Sequence, residues 1–196
     1  MAAPASPVSA KGSDGVRFVG RLTRWTAVAA AWLTAFSAFA ASSPPGAAIK
    51  AAYVTKFAPF VVWPPSAFAG PTAPLVLCVQ GDDPFGAMLD RLTADQRVGS
   101  HPMIVRHLAR IDAESGCHIA YLAGSPAQSQ AAAIRALEGS PVLTVTDAEA
   151  DGGAAGMVRL VLVDGRVRFV IDAGRAGQCR LVISSKLLAL AAEVRR

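Results

Sequence analysis

The 196-residue chain carries 19 Lys and Arg against 14 Asp and Glu, a formal net charge of +5 that invites a nucleic-acid reading. The distribution argues against it. Residues 1–40 hold four of the basic groups and one of the acidic, leaving 15 against 13 and a net charge of +2, with no basic run, no aromatic stripe among basic residues and no nucleic-acid-binding motif.

Arg17, Arg21 and Arg24 precede 16 uncharged residues, Trp25 to Ala40, that end in the small-x-small pattern Ala38, Phe39, Ala40. This predicts a cleaved export signal over residues 1–40 and a mature chain beginning at Ala41. A membrane anchor would need roughly 20 apolar residues, and no cysteine near the cleavage point offers a lipid anchor. Residues 41–196 suffice for one domain with a full core, which needs no metal for its stability.

In that domain Ile49, Tyr53, Phe57 and Phe60 recur at helical spacing, predicting an amphipathic first helix that Pro59 kinks or ends. Residues 75–80 are a continuous apolar run between Pro74 and Gly81, as in a buried strand. A short helix over 85–92, strands over 103–108 and 117–123, a helix over 128–137 and a strand over 142–146 follow. A Gly-rich loop at 151–156 leads to a strand over 157–163. Asp164 and Gly165 then join it to a strand over 166–171 as a β-hairpin, and a final helix is expected over 184–194. The expected fold is α/β, a single-domain sandwich whose mixed central sheet is flanked by helices and ends in a C-terminal hairpin and helix.

Catalytic chemistry finds little footing. Cys117 beside His118 has the residue types of a nucleophile and its base, but neighbours on a strand point to opposite faces. His101, His107 and His118 do not share a helix face at i, i+4, and neither HExxH nor paired CxxC occurs. Ser184, Ser185 and Lys186 lack the SxxK spacing. Asp82 and Asp83 are placed to cap the helix that follows. These residues call for no catalytic role, no cofactor and no metal.

Several motifs in order carry a likeness. Val62-Trp63-Pro64 closes the first helix, GDDPFG at 81–86 follows the first long strand, and Cys117 precedes another strand. PVLTVTD at 141–147 and GRVRFVID with ISSKLLALA in the tail complete the set. Together they resemble the YfiR-like family of periplasmic proteins. The resemblance implies an α/β sandwich that often self-associates, so a homodimer is a possible partner state. It also implies binding to the periplasmic sensory domain of an inner-membrane diguanylate cyclase, which holds the cyclase off and restrains cyclic di-GMP and biofilm formation. The family's contact surface involves the C-terminal region, which maps onto Val170, Asp172, Arg175, Leu181 and Lys186. Val170 and Leu181 suit a core equally well, and Lys186 a solvated helix face. Val170 and Asp172 stand where the family pattern has glutamate and asparagine. The match also implies a disulfide between Cys78 and Cys117, whose reduction would loosen the fold and release the partner if the bridge is regulatory rather than purely structural. Cys179 is left over, a buried thiol or an intermolecular link. A second class of function is a small-molecule-binding module, with its crevice bordered by the loops after Gln80 and Ala123.

Overall fold

The computed structural model describes residues 46–148 and 154–196, so the predicted signal, its cleavage point and most of the Gly-rich loop lie outside the described residues. Helix α1 (Ala47–Phe57) runs into a 3-10 turn at Ala58–Phe60, which contains Pro59. Of the predicted stripe, Phe57 is buried and Tyr53 and Phe60 pack against the core, but Ile49 does not. Ala47, Ala51, Val54 and Ala58 face the core, whereas Ile49 is 54% exposed. Small side chains at i, i+4, i+7 and i+11 let the helix axis lie close to the sheet, and close approach outweighs the larger area that Ile49 would bury.

Beyond a two-residue strand β1 (Val61–Val62), the chain alternates strands and helices: β2 (Leu75–Gly81), α2 (Met88–Thr93), β3 (Arg97–Val98), β4 (His101–Leu108), β5 (Ile119–Gly124), α3 (Gln130–Ala136) and β6 (Leu143–Asp147). The tail continues as β7 (Val158–Val163), β8 (Arg166–Asp172), α4 (Ala173–Gln178), β9 (Val182–Ile183), α5 (Ser185–Leu190) and β10 (Glu193–Arg195). Eight strands form one sheet in the order β10-β8-β7-β6-β5-β2-β4-β3. The five from β7 to β4 are mutually parallel, β8 is antiparallel to β7, and β10 is parallel to β8. The protein is thus α/β with a mixed sheet between helices.

The parallel centre explains why β2 reads as apolar throughout. Leu75, Leu77 and Val79 pack with residues of α1, α2 and α5, while Val76 and Cys78 pack with Ala133 of α3 and Leu137 beyond it. Both faces are covered, so alternation disappears. On the α3 side Cys78 and Cys117 are joined in a disulfide with Cα atoms 5.9 Å apart, whereas Cys179 is a free thiol buried in the opposite cluster. Asp164 (φ 49°) and Gly165 (φ 70°) both adopt positive φ, the requirement of a type I′ turn, and so close the hairpin as their sequence predicts.

Two parts of the tail depart from expectation. The last helix stops at Leu190, and the chain returns as β10 along the outer edge of β8, with Ala192 N–H donating to Phe169 O at 2.8 Å. Val182 and Ile183 pair with β1 instead of remaining a loop. Both short pairings satisfy backbone groups of otherwise unpaired edges. The helix over 85–92 begins later, at Met88, because Asp83 Oδ1 accepts from Phe85 N–H at 2.7 Å and holds a turn ahead of it.

Candidate partner surface

Helices are unevenly shared between the two faces. On one side, residues of α1, α2, α4 and α5 join the main cluster; on the other, Ala133 of α3 packs over β2 and β5. Register and alternation place Arg159, Val161 and Val163 of β7 on the same face as Val170, Arg168 and Arg166 of β8, with Glu193 and Arg195 of β10 alongside. The alternate residues Val158, Leu160, Phe169 and Ile171 are buried in the main cluster. This end of the sheet therefore has one core face and one open, arginine-rich face.

A small cavity of about 70 Å³ opens on that face, lined among others by Gly156, Arg159, Val170, Asp172, Arg175 and Arg195. Its rim is built locally. Asp172 Oδ1 accepts from Arg175 N–H at 2.8 Å and caps α4, while the Arg175 guanidinium donates to Ala155 O at 2.6 Å. Gly156 passes so close to β6 that a Cβ would lie 2.7 Å from Thr144 O, and the Thr146 and Thr144 hydroxyls accept from Gly156 and Met157 N–H. Arg195 Nε donates to Glu193 Oε1 at 2.7 Å; that bond and the Arg195 charge, helped by Arg159, hold the Glu193 carboxyl below the usual glutamate value.

Three of the five residues singled out in the tail, Val170, Asp172 and Arg175, thus meet around one cavity. Leu181 is 3% exposed and lies in the core, and Lys186 is exposed on α5, whose Leu187 packs on the other side of the sheet. Sequence reasoning missed Arg159, Arg166, Arg168 and Arg195. For Arg166 and Arg168 a signal was present, two arginines either side of one apolar residue in a strand, and Arg159 stands alone in an otherwise apolar strand. Arg195 gave none, because its segment reads as helix.

The other candidates separate. The Cys117 sulfur is bonded on the α3 side, whereas His118 stacks on Phe68 (ring centroids 4.3 Å apart) and meets Trp63 edge-on, both in the opposite cluster. Phe68 is itself stacked on His101 at 3.9 Å. His107 lies 3.3 Å from Asp83 and 3.5 Å from Asp90, and among the described residues no group of three His, Cys, Asp or Glu is arranged to hold a metal. Ser184 Oγ accepts from Lys186 N–H, an N-cap for α5.

The expected ligand crevice is closed. The loops after β2 and β5 do diverge to opposite faces, but Asp82 N–H donates to Gly124 O at 2.9 Å, and a Cβ on Gly81 would lie 2.2 Å from that same oxygen. The fully buried Gln80 donates to Gln128 O and Ala109 O and accepts from Gly124 N–H, filling the switch point with protein.

His118 supplies a pH dependence. Its Nδ1 accepts from Val76 N–H at 3.1 Å, which puts the proton of the neutral ring on the buried Nε2. Burial pushes its pKa below the usual 6.5; the Ala67 carbonyl pulls it up and His101 pulls it down. The unfolded chain therefore takes up a proton first on acidification. Stability from neutral His118 is fully present above pH 6.5 and is lost as the pH falls from there through the folded pKa. Melting curves of wild type are expected to shift downward over that window. His118→Asn, which keeps an acceptor for Val76 N–H but cannot titrate, should flatten the dependence; an unchanged slope would assign it elsewhere.

Fold and site together define a mixed α/β domain with an arginine-rich sheet face at its C-terminal end. The family model described as YfiR/HmsC-like matches residues 47–192, and the chain belongs to that family, which is periplasmic and regulatory. No curated protein gives a match. No described helix is long and apolar enough to cross a membrane.

Proposed function

We propose that this protein, exported by a cleaved signal in residues 1–40, works in the periplasm through its domain over 41–196. There it binds the sensory domain of an inner-membrane diguanylate cyclase and represses it. The observation that carries the reading is the family match, which spans nearly all of the described domain. A partner that binds the inactive cyclase more tightly than the active one shifts the population toward inactivity by that difference in affinity, with no chemistry of its own. The open face around Val170, Asp172 and Arg175 is the contact surface in this reading, Lys186 lies outside it, and self-association of the repressor accompanies it. The Cys78–Cys117 bridge suits an oxidising compartment. The small-molecule module loses its expected location with the closed crevice.

Deletion of the gene is expected to raise cellular cyclic di-GMP and surface attachment, and a plasmid copy of wild type to reverse both. Cells that normally express the protein but show unchanged cyclic di-GMP after deletion would refute repression.

A further inference from the structure

Charge in this domain is divided along the chain. Residues 46–148 carry seven Lys and Arg against eight Asp and Glu, whereas residues 149–196 carry eight against five, only Asp164, Asp172 and Glu193 of them beyond Gly153. The excess collects on the open face, where Arg159, Arg166, Arg168 and Arg195 flank Val161, Val163 and Val170, with Arg175 at the rim. Among the described residues Arg159, Arg166 and Arg168 make no ion pair, and Arg166 and Arg168 are exposed beside the 43%-exposed Val163. Those three contrast with Arg195, which is paired with Glu193, and with Lys50, which is paired with Asp147.

We infer that this face, Arg159, Arg166, Arg168 and Arg195 around a valine centre, is the docking surface for an acidic patch of a protein partner. The inference rests on the proposed function and names the chemistry of the cyclase surface it requires: carboxylates ringing an apolar spot. Three features select protein over an anionic lipid surface. Every cation on the face is arginine, whose planar fork pairs bidentately with carboxylates. Asp172 and Glu193 stand among them, which suits a mixed-charge partner and opposes a uniformly anionic plane. Val163, 43% exposed, and the half-buried Val161 add an apolar spot beside the arginines, over the buried Val170, as a protein interface requires.

The test compares complementation of the gene deletion by full-length wild type, by Arg166→Glu/Arg168→Glu, and by Lys56→Glu/Arg91→Glu. The last makes an equal charge change on exposed positions of α1 and α2, away from this face. Periplasmic level and melting temperature are measured for each. Like charges brought across a contact should weaken binding by about a hundredfold or more, so the hairpin variant is expected to leave cyclic di-GMP at the deletion level while the helix variant restores it. Restoration by the hairpin variant as complete as by wild type would overturn the inference with repression intact. Failure of wild type to restore would instead sink the underlying reading, and the inference with it. Flotation with phosphatidylethanolamine vesicles containing phosphatidylglycerol adds a second arm. Wild-type binding that Arg166→Glu/Arg168→Glu abolishes would hand the face to lipid and refute the protein partner; no binding by wild type supports it.

Discussion

Protein lacking the Cys78–Cys117 bridge is expected to melt about 8–16 °C below the oxidised form, whether the link is cut by reductant or by Cys78→Ala/Cys117→Ala. The two cysteines are 39 positions apart, and closing a loop of that length removes about 4 kcal/mol of unfolded-chain entropy in the chain-entropy model. A domain of this size shifts by about 2–4 °C per kcal/mol. Reduced wild type isolates the link itself; the alanine pair adds the loss of two buried sulfurs. A reduced protein that melts within about 2 °C of the oxidised one would contradict a stabilising loop.

The position of the bridge also separates its two readings. The loop it closes holds α2, β3 and β4, at one end of the sheet. The arginine face lies on β7, β8 and β10, with β6 between β7 and the bridged β5 end. A structural bridge therefore predicts that cells carrying the alanine pair still repress at temperatures where the protein remains folded. A redox switch demands that they do not, at equal protein level.

Gly81→Ala is expected to cost about 3 kcal/mol or more and to leave little folded protein in the periplasm. Gly81 has φ +89°, and a Cβ there would lie 2.2, 2.5 and 2.8 Å from the O, C and N of Gly124. These are backbone atoms, and Gly124 cannot retreat freely: it has φ +77°, and its own Cβ position is 2.9 Å from Gln130 N at the start of α3. The ends of β2 and β5 would have to part, breaking the Asp82–Gly124 hydrogen bond and the Gln80 contacts beneath. Gly139→Ala is the control, because Gly139 has φ +73° with nothing within 4 Å of its Cβ position and should lose only the roughly 1–2 kcal/mol of left-handed strain. Equal melting of the two variants would mean that the switch point has room, and would reopen the ligand-crevice reading.

Much of the fold was legible because its signals are local. The β2 run is apolar at every position from Leu75 to Val79, as a strand covered on both faces must be, and Asp164-Gly165 supplies the two positive φ angles of its turn. The first helix was found with Phe57 buried and Tyr53 and Phe60 against the core, but Ile49 was misplaced, because the packing chose the small Ala47, Ala51 and Ala58 beside them. The tail was harder. LLALAAEVRR is a good helical sequence, yet its last residues lie along β8, because an unpaired strand edge offers backbone hydrogen bonds that an isolated helix end lacks.

By itself the sequence determined the α/β class and the hairpin, and its motifs carried the resemblance to the family; these depend on period, turn chemistry and residue type within short windows. Only the tertiary structure decided which sheet face stays open, that Val170, Asp172 and Arg175 meet Arg159 and Arg195 at one cavity, that Leu181 is core, and that the crevice after β2 is shut. Each of those is set by which strands become neighbours and where helices pack. Arg159 and Arg195, 36 positions apart, are brought to one surface on either side of β8 by pairing that no local window contains.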